Sequence, residues 1–229
     1  MDNTTKQQLL DYLSTFLTEE RQALFQRIVK YRTKHLTVVL EDIYQPHNAS
    51  AVLRTCDLTG VLDVHIIENR NQYELNPEVA LGSSKWLNLN TYNEQENNTL
   101  DTFKKLRAAG YKIIATTPHK NSQTPDSIDL SEKCALVFGT ELTGLSEPAI
   151  HDADEYLRIP MYGFTESYNI SVSAALVLFT LTERMRKENI NWQLSESERL
   201  QTLLDWTRRS INKVEGIEKR FLEKIKTEE

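Results

Sequence analysis

The fold is decided by residues 159–173, which read Ile159-Pro-Met-Tyr-Gly-Phe-Thr-Glu-Ser-Tyr-Asn-Ile-Ser-Val-Ser173. An apolar strand is predicted to end at Pro160, and a loop of glycine and hydroxyl residues follows it. Four polar side chains then lead into a predicted helix: Ser167, Asn169, Ser171 and Ser173. Ordinary capping of a helix N-terminus needs only one such side chain. The surplus of hydrogen-bonding groups therefore indicates a ligand site at this helix end.

Glycines follow predicted strands in this part of the chain. Gly139 and Gly144 lie within the segment Phe138-Gly-Thr-Glu-Leu-Thr-Gly-Leu-Ser146, and Gly163 lies in the loop described above. Glycine lets the backbone approach a ligand closely and adopt positive φ. Open α/β sheets bind ligands beyond the carboxyl ends of their strands. Each glycine alone could simply make a turn, but together they indicate a binding site.

A third polar segment opens the first predicted helix of the α/β region. It reads Asn48-Ala-Ser-Ala-Val-Leu-Arg-Thr55 and follows a polar turn at 45–47. Asn48 is predicted to be the N-cap of this helix. Arg54 stands within an otherwise apolar helical pattern, where an unpaired charge would be costly. A structural ion pair, an exposed flank of the helix and a functional charge all remain open for Arg54.

Strands and helices alternate between the two ends of the chain. Short apolar runs predict strands at 36–40, 64–67, 87–92, 112–116, 135–138 and 156–159. Helical spacing predicts helices at 49–58, 99–109, 146–152 and 172–187. This alternation is typical of an α/β protein with a mostly parallel sheet. The predicted organisation is an N-terminal helical arm (1–35), an α/β core (36–188) and a C-terminal helical arm (189–229).

The net charge of −6 is unevenly distributed. Residues 38–183 carry ten Lys/Arg and twenty Asp/Glu, whereas residues 1–37 and 184–229 each carry a small basic excess. Basic residues cluster at 21–34 and 208–220. Such clusters are suited to a phosphate backbone, although basic residues on helices are commonly just solvated. Charge alone leaves a nucleic-acid partner open.

The sequence shows neither a signal peptide nor a membrane-spanning segment, because Met1 to Lys6 is polar and no 18-residue apolar run occurs. A cytoplasmic location is therefore expected. Cys56 and Cys134 fall within a predicted helix and a predicted strand, which favours buried free thiols over a disulfide framework. The five histidines are scattered, and without metal-ligand spacing no bound metal is expected.

Three ordered motifs resemble those of a known enzyme class. They are Asn-x-x-Ala-x-x-Arg-Thr at 48–55, Gly-x-Glu-x-x-Gly at 139–144 and Ile-Pro-Met-x-Gly-x-x-x-Ser-x-Asn-x-Ser-Val at 159–172. All are similar to motifs of the SPOUT class (SpoU/TrmH family) of RNA ribose 2′-O-methyltransferases. The resemblance spans residues 20–190 and is greatest to the enzymes that methylate guanosine 18 in the tRNA D-loop. It implies methyl transfer from S-adenosylmethionine to a ribose hydroxyl of tRNA.

The resemblance also implies a C-terminal trefoil knot that forms the cofactor pocket, and a homodimer with its active site near the interface. Sequence patterns alone cannot show a knot, since knotted folds are very rare. The catalytic polar positions that it implies are Asn48, Arg54, Glu141, Ser167 and Asn169. The implied contacts to S-adenosylmethionine are Thr116, Gly139, Ile159, Met161 and Tyr168. Tyr168 departs from the family, which usually has Leu between that Ser and Asn.

Arg54 matches the residue that this family is proposed to use as activator of the ribose hydroxyl, but a guanidinium resists deprotonation. We expect it instead to stabilise the developing alkoxide and hold a neighbouring phosphate, with Asn48 fixing it in place. The carboxylate of Glu141 and the amide of Asn169 are expected to position cofactor and substrate. In the arms, the expected tRNA contacts are Arg27, Lys30, Arg208 and Arg209.

Other functions can be weighed against this one. A Rossmann-type methyltransferase or dehydrogenase would need Gly-x-Gly-x-x-Gly after the first strand, where this chain has Tyr44-Gln-Pro-His-Asn48. A non-catalytic RNA-binding relative is disfavoured, because all five catalytic polar positions are present. Methylation of ribosomal RNA or of another tRNA position remains open. The basic helical arms favour tRNA, since many ribosomal-RNA relatives carry a larger, separate N-terminal domain.

Overall fold

The computed structural model describes residues 1–118 and 122–228, and these fall into two compact units. Residues 1–32 and the chain from Gln193 onward form a helical unit, so the two predicted arms belong to one body. Residues 33–192 form an α/β unit. The arm boundaries expected at residues 35 and 189 stay a prediction.

Within the described residues, the α/β unit contains one sheet of six parallel strands. The strands are β1 (Leu36–Glu41), β2 (Asp63–Ile67), β3 (Asn88–Tyr92), β4 (Tyr111–Thr116), β5 (Lys133–Phe138) and β6 (Glu155–Leu157). Their order across the sheet is β3-β2-β1-β5-β4-β6. β1 is central, with Leu40 paired to Ile66 of β2 and to Phe138 of β5. This sheet confirms the predicted mostly parallel α/β fold.

Helices make up the remaining regular structure. Those of the α/β unit are α3 (Pro46–Thr59), α4 (Pro77–Ala80), α5 (Thr99–Ala108), α6 (Glu147–Asp152) and α7 (Ile170–Lys187), with a 3₁₀ turn at Ser83–Trp86. Those of the helical unit are α1 (Asn3–Ser14), α2 (Glu19–Ile28), α8 (Glu196–Arg208) and α9 (Val214–Glu228), with a 3₁₀ turn at Val29–Tyr31. Nowhere in the described ranges is a helix both long enough and apolar enough to cross a bilayer.

Both faces of the sheet are covered by apolar side chains. Leu36, Val38 and Leu40 of β1 belong to a buried cluster that includes residues of α3 and α7. Val39, between them, belongs to a second cluster that includes Phe103 of α5. Successive residues of a strand point to opposite faces, so alternate positions of β1 enter different clusters. This two-sided burial is the reason that parallel strands have nearly continuous apolar sequences.

The start of α3 corrects one prediction. The helix begins at Pro46 with Gln45 as its N-cap, so the assignment of Asn48 as the cap is wrong. Proline is favoured at the first helical position, because its fixed φ suits the helix and its missing N–H would have no partner there. Asn48 is therefore in the first turn of the helix, where its side chain can bond to other segments.

Candidate active site

A cavity of about 280 Å³ lies at the carboxyl ends of β4, β5 and β6. Its walls come from three loops and a helix: residues 116–118, 138–145 and 157–161, and the chain from 166 into α7. Parallel sheets bind ligands at this edge. The sequence motifs at 139–144 and 159–172 are thus brought together around one concave space.

All five residues expected to contact the cofactor line this cavity: Thr116, Gly139, Ile159, Met161 and Tyr168. Gly139 has no room for a side chain, since a Cβ there would lie 2.3 Å from the carbonyl carbon of Gly144. Thr140 N–H donates to Gly144 O at 2.9 Å, and Gly144 N–H donates back to Thr140 O at 3.2 Å. The loop therefore closes on itself, and Tyr168 contributes to the cavity wall from another segment of the chain.

A chain of hydrogen bonds connects the three motifs. Asn169 Nδ2 donates to Asn48 Oδ1 at 3.2 Å, and Asn48 Nδ2 donates to Glu141 Oε1 at 2.6 Å. Asn169 Oδ1 also caps α7, because it accepts from the N–H and the hydroxyl of Ser171 at 2.9 and 2.6 Å. Asn48 is buried and Glu141 lines the cavity. The relay thus holds a carboxylate in place at the cavity wall.

Ser167 lines the cavity as well, on the loop that leads into α7. Four of the five expected catalytic residues are therefore in the cavity wall or in the relay behind it.

Arg54 lies apart from the relay. Its side chain is exposed and lines an open groove between α3 and α7, not the cavity. Asn48 bonds to Gln45, Glu141 and Asn169, so the expectation that it fixes Arg54 is wrong. Of the alternatives left open for Arg54, the exposed flank is confirmed, because Arg54 falls on the outward side of α3, next to the buried Leu53. Water solvates a guanidinium in that position.

The groove beside Arg54 carries exposed apolar side chains. Leu58 is 76% exposed and Phe179 is 65% exposed, and Val172 and Leu176 are partly exposed on the same face. Single exposed apolar residues are common, but a contiguous group of them usually marks an interaction surface.

The basic residues of the arms differ in their surroundings. Arg27, Lys30 and Arg209 are exposed. Arg208 is half-buried and forms ion pairs with Glu218 through Nε and with Asp205 at 3.3 Å. The charge of Arg208 is therefore already neutralised within the protein.

Cys56 and Cys134 are buried free thiols, which confirms the prediction for both. Burial raises the pKa of the Cys134 thiol to about 12. Because the thiolate is the reactive form of cysteine, Cys134 is inert near neutral pH.

Two acidic residues were missed by the sequence interpretation. Glu41 and Asp42 are buried at the carboxyl end of β1, and each accepts hydrogen bonds from loops at the edge of the sheet that carries the cavity. The available signal was an acidic pair placed directly after an apolar strand. Such a pair is ordinarily solvated, so the sequence did not distinguish it from a surface turn.

Similarity to known proteins agrees with this arrangement. Residues 35–179 match the SpoU rRNA Methylase family. The tRNA (guanosine(18)-2′-O)-methyltransferase of Borreliella burgdorferi is 44% identical over 206 residues, which cover 90% of this chain and 93% of that protein. The A. aeolicus TrmH/SpoU tRNA modifying enzyme has a TM-score of 0.76 at 28% identity, over 85% of this chain and 98% of that chain.

A more distant structure shares the fold. The AdoMet-bound rRNA methyltransferase from Sinorhizobium meliloti has a TM-score of 0.58 at 24% identity, over 69% of this chain and 60% of that chain. The family match covers the sheet, the cavity loops and most of α7. This chain belongs to the SpoU rRNA Methylase family.

Proposed function

We propose that this protein transfers a methyl group from S-adenosylmethionine to the ribose 2′-hydroxyl of guanosine 18 in tRNA. The observation that carries the proposal is the cavity with its relay from Asn169 through Asn48 to Glu141. The relative from B. burgdorferi that is named for this reaction covers 90% of the chain. Methylation of ribosomal RNA or of another tRNA position is the alternative.

The cavity fits S-adenosylmethionine in chemistry. Its apolar wall includes Leu145, Ile159 and Val177, which suits an adenine ring, and its polar wall includes the carboxylates of Glu141 and Glu166. Carboxylates suit the cationic parts of this cofactor. The tight turn at Gly139 brings main-chain groups close to the space, as a site that binds through backbone requires. When bound, the cofactor supplies an electrophilic methyl group on a sulfonium.

In catalysis, the protein's own residues position the cofactor and the ribose hydroxyl and favour the alkoxide form of that hydroxyl. A ribose hydroxyl is a weak nucleophile, so charge that develops on its oxygen must be stabilised in a site closed to water. Asn48 and Asn169 orient Glu141, and Ser167 adds a hydroxyl to the same wall. Arg54 lies outside the cavity, on the groove between α3 and α7, and in the proposed dimer it provides the positive charge that stabilises the alkoxide and a nearby phosphate.

A homodimer is part of the proposal. The exposed apolar face with Leu58, Val172, Leu176 and Phe179 supports it, because burial of such a face against a second copy is favourable. Arg54 lies on this same face. The dimer would therefore place the proposed catalytic charge at an interface instead of in open solvent.

The tRNA contacts are proposed to include the helical unit. Arg27, Lys30 and Arg209 present exposed positive charge there, in a chain whose overall net charge is −6. Phosphate contacts supply most of the affinity of proteins for nucleic acids. A cytoplasmic location, where tRNA is available, is part of the proposal.

The trefoil knot is proposed for the chain that follows β5. Strand β6 lies at one edge of the sheet, where it pairs with β4. The next helix, α7, nevertheless packs against α3, which follows the central strand β1. Such a return from the edge of the sheet is what a threaded C-terminal segment requires. Mechanical extension tests it, since a knotted chain stretches to less than its full length of about 3.3–3.6 Å per residue. Full extension would show an unknotted chain.

A methylation assay on defined transcripts tests the function. Purified protein and methyl-labelled S-adenosylmethionine are incubated with tRNA that contains either guanosine or 2′-deoxyguanosine at position 18. We expect label only in the first transcript, with the nucleotide located by mass spectrometry. Ribosomal RNA fragments serve as competing substrates. Label in the deoxy transcript or in ribosomal RNA instead would support the alternative target, and absence of transfer despite cofactor binding would indicate a non-catalytic protein.

A further inference from the structure

Glu41 is a buried carboxylate that lies behind the cavity without lining it. It is the last residue of the central strand β1 and is only 2% exposed. Its Oε1 accepts from the hydroxyls of Ser146 and Thr99 at 2.7 and 2.6 Å, and its Oε2 accepts from the N–H of Ser146 at 2.9 Å. Carboxylates are rarely so buried unless their oxygens are hydrogen-bonded. Here three uncharged donors meet this need.

The donors are oriented by further bonds. The Ser146 hydroxyl accepts from the N–H of Ala149 at 3.3 Å, and the Thr99 hydroxyl accepts from Asn69 Nδ2 at 3.0 Å. Each hydroxyl therefore uses its hydrogen to donate to Glu41. An amide at position 41 would point its NH₂ group either at the N–H of Ser146, which breaks that bond, or at the two hydroxyls, whose hydrogens would then lose their acceptor.

Ser146 is where Glu41 acts on the cavity. It is the N-cap of α6 and comes directly after the cavity loop 138–145. The loop begins at Phe138, which pairs with Leu40 of β1. Both ends of the loop are thus tied to consecutive residues of β1, one by strand pairing and the other by the carboxylate of Glu41.

Asp42 provides a comparison within the same strand end. It is 8% exposed, and its Oδ1 accepts from the N–H groups of Asn69, Arg70 and Asn71 at 3.0, 2.8 and 3.0 Å. The segment that it holds follows β2 and does not line the cavity. Two neighbouring acids, with similar burial and three hydrogen bonds each, therefore support different loops.

We propose that Glu41 is a positioning residue for the methyl donor: through Ser146 it holds the loop 138–145 in the geometry that binds S-adenosylmethionine. The proposal rests on the cofactor assignment made above. Glu41 itself touches neither cofactor nor substrate. Asp42 has a much smaller effect, because its loop lies outside the cavity and reaches Glu41 only indirectly, through Asn69 and Thr99.

Isothermal calorimetry on the full-length Glu41→Gln and Asp42→Asn variants tests the proposal, with S-adenosylmethionine as the titrant. We expect Glu41→Gln to raise the Kd by about tenfold, as the loss of a bond to a buried acceptor predicts, and Asp42→Asn to leave it within about twofold. Urea unfolding should show both variants to be less stable than the wild type. In the methylation assay, Glu41→Gln should raise the KM for cofactor more than it lowers kcat.

A second pair of variants covers the case in which Glu41→Gln does not fold. Ser146→Ala removes one bond to Glu41 along with a helix cap, whereas Ser195→Ala removes the cap of α8, far from the cavity in sequence. Only Ser146→Ala should weaken cofactor binding. An unchanged Kd in Glu41→Gln, or in Ser146→Ala if the former does not fold, overturns the proposal, as does an equal loss in Asp42→Asn. A wild-type protein that does not bind S-adenosylmethionine overturns the cofactor assignment itself.

Discussion

Asn48 Nδ2 lies 2.6 Å from Glu141 Oε1 and so joins two motifs that are 93 residues apart in the chain. Asn48 accepts in turn from Asn169, so each of its amide atoms serves a different motif. An amide is suited to this position because it both donates and accepts. A carboxylate could only accept, and an apolar side chain could do neither.

Asn48→Asp should therefore disrupt the relay. The new carboxylate would face that of Glu141, and the repulsion should lower the single-turnover methylation rate by about 10²-fold, as for loss of one preorganised electrostatic group. Gln45→Ala is the matched control, since Gln45 is exposed and accepts the other bond of Asn48. Equal rates in wild type and Asn48→Asp would exclude the relay from the mechanism.

Gly139→Ala should abolish cofactor binding. Its Cβ would lie 2.3 Å from main-chain atoms of Gly144, so the turn must open and the cavity must change shape. Gly163→Ala is the control, because a Cβ there has no neighbour within 4 Å and its φ is not positive. Calorimetry should show no binding for the first variant and a Kd within about twofold of wild type for the second, because an unstrained site accepts a methyl group. Normal binding by Gly139→Ala would contradict the assigned pocket.

Arg54→Ala should separate activity from stability. Because Arg54 is exposed, the variant should keep the wild-type melting temperature while its methylation rate falls by about 10²-fold or more. Arg54→Lys should restore only part of the rate, since lysine lacks the planar fork of donors. Arg70→Ala, at another exposed arginine of the same unit, should be fully active. A stable Arg54→Ala variant with wild-type turnover would remove Arg54 from the mechanism.

The basic residues of the arms should differ in their effect on tRNA binding. Arg27→Ala and Lys30→Ala should each reduce the slope of log Kd against log salt for tRNA by roughly one unit if the charge contacts a phosphate. Arg208→Ala should instead destabilise the helical unit with little change of slope, because its charge is already paired with Glu218 and Asp205. Filter binding over a salt series measures the slopes. Unchanged slopes for Arg27 and Lys30 would mean that these residues are simply solvated.

Phe179→Asp should convert the proposed dimer into monomers. A carboxylate on the apolar face of α7 would have to be desolvated in the interface, which is costly without a partner. Leu100→Asp is the control, since Leu100 is a 48% exposed apolar residue on α5, outside the groove. Sedimentation velocity at micromolar concentration distinguishes the two states. A wild-type protein that is already monomeric, or a dimeric Phe179→Asp, would contradict the proposed interface.

Sequence patterns predicted the sheet and the cavity wall well because both depend on local features. The apolar residues of β1 indicate a buried strand by their type alone, and the glycine at 139 indicates in the same way a position without room for a side chain. The predicted capping role of Asn48 is wrong because Pro46, two residues earlier, starts the helix. For Arg54 the sequence left an exposed flank and an ion pair equally open, because helical spacing does not show which flank of α3 is covered.

Burial of polar groups was beyond the reach of sequence patterns. Glu41 is followed by another acid and a turn, which is also the pattern of a solvated strand end. Its carboxylate has three donors only because tertiary structure brings Ser146 and Thr99 next to it, from 105 and 58 residues away in the chain. The pairing of Arg208 with Glu218 likewise depends on a chain reversal between α8 and α9, which includes positive φ at Lys213. Such contacts follow from tertiary structure and leave no periodic signal.

The helical unit is built from both ends of the chain, with α1 and α8 packed together. During synthesis the residues of the α/β unit, up to Trp192, leave the ribosome before those of α8. Domains generally fold as units as they emerge, at about 5–20 residues per second. The catalytic unit can therefore fold while α1 and α2 still lack their partners. The helical unit is therefore completed after the α/β unit, so a nascent chain can form the proposed cofactor cavity before it forms the helical body proposed to bind tRNA.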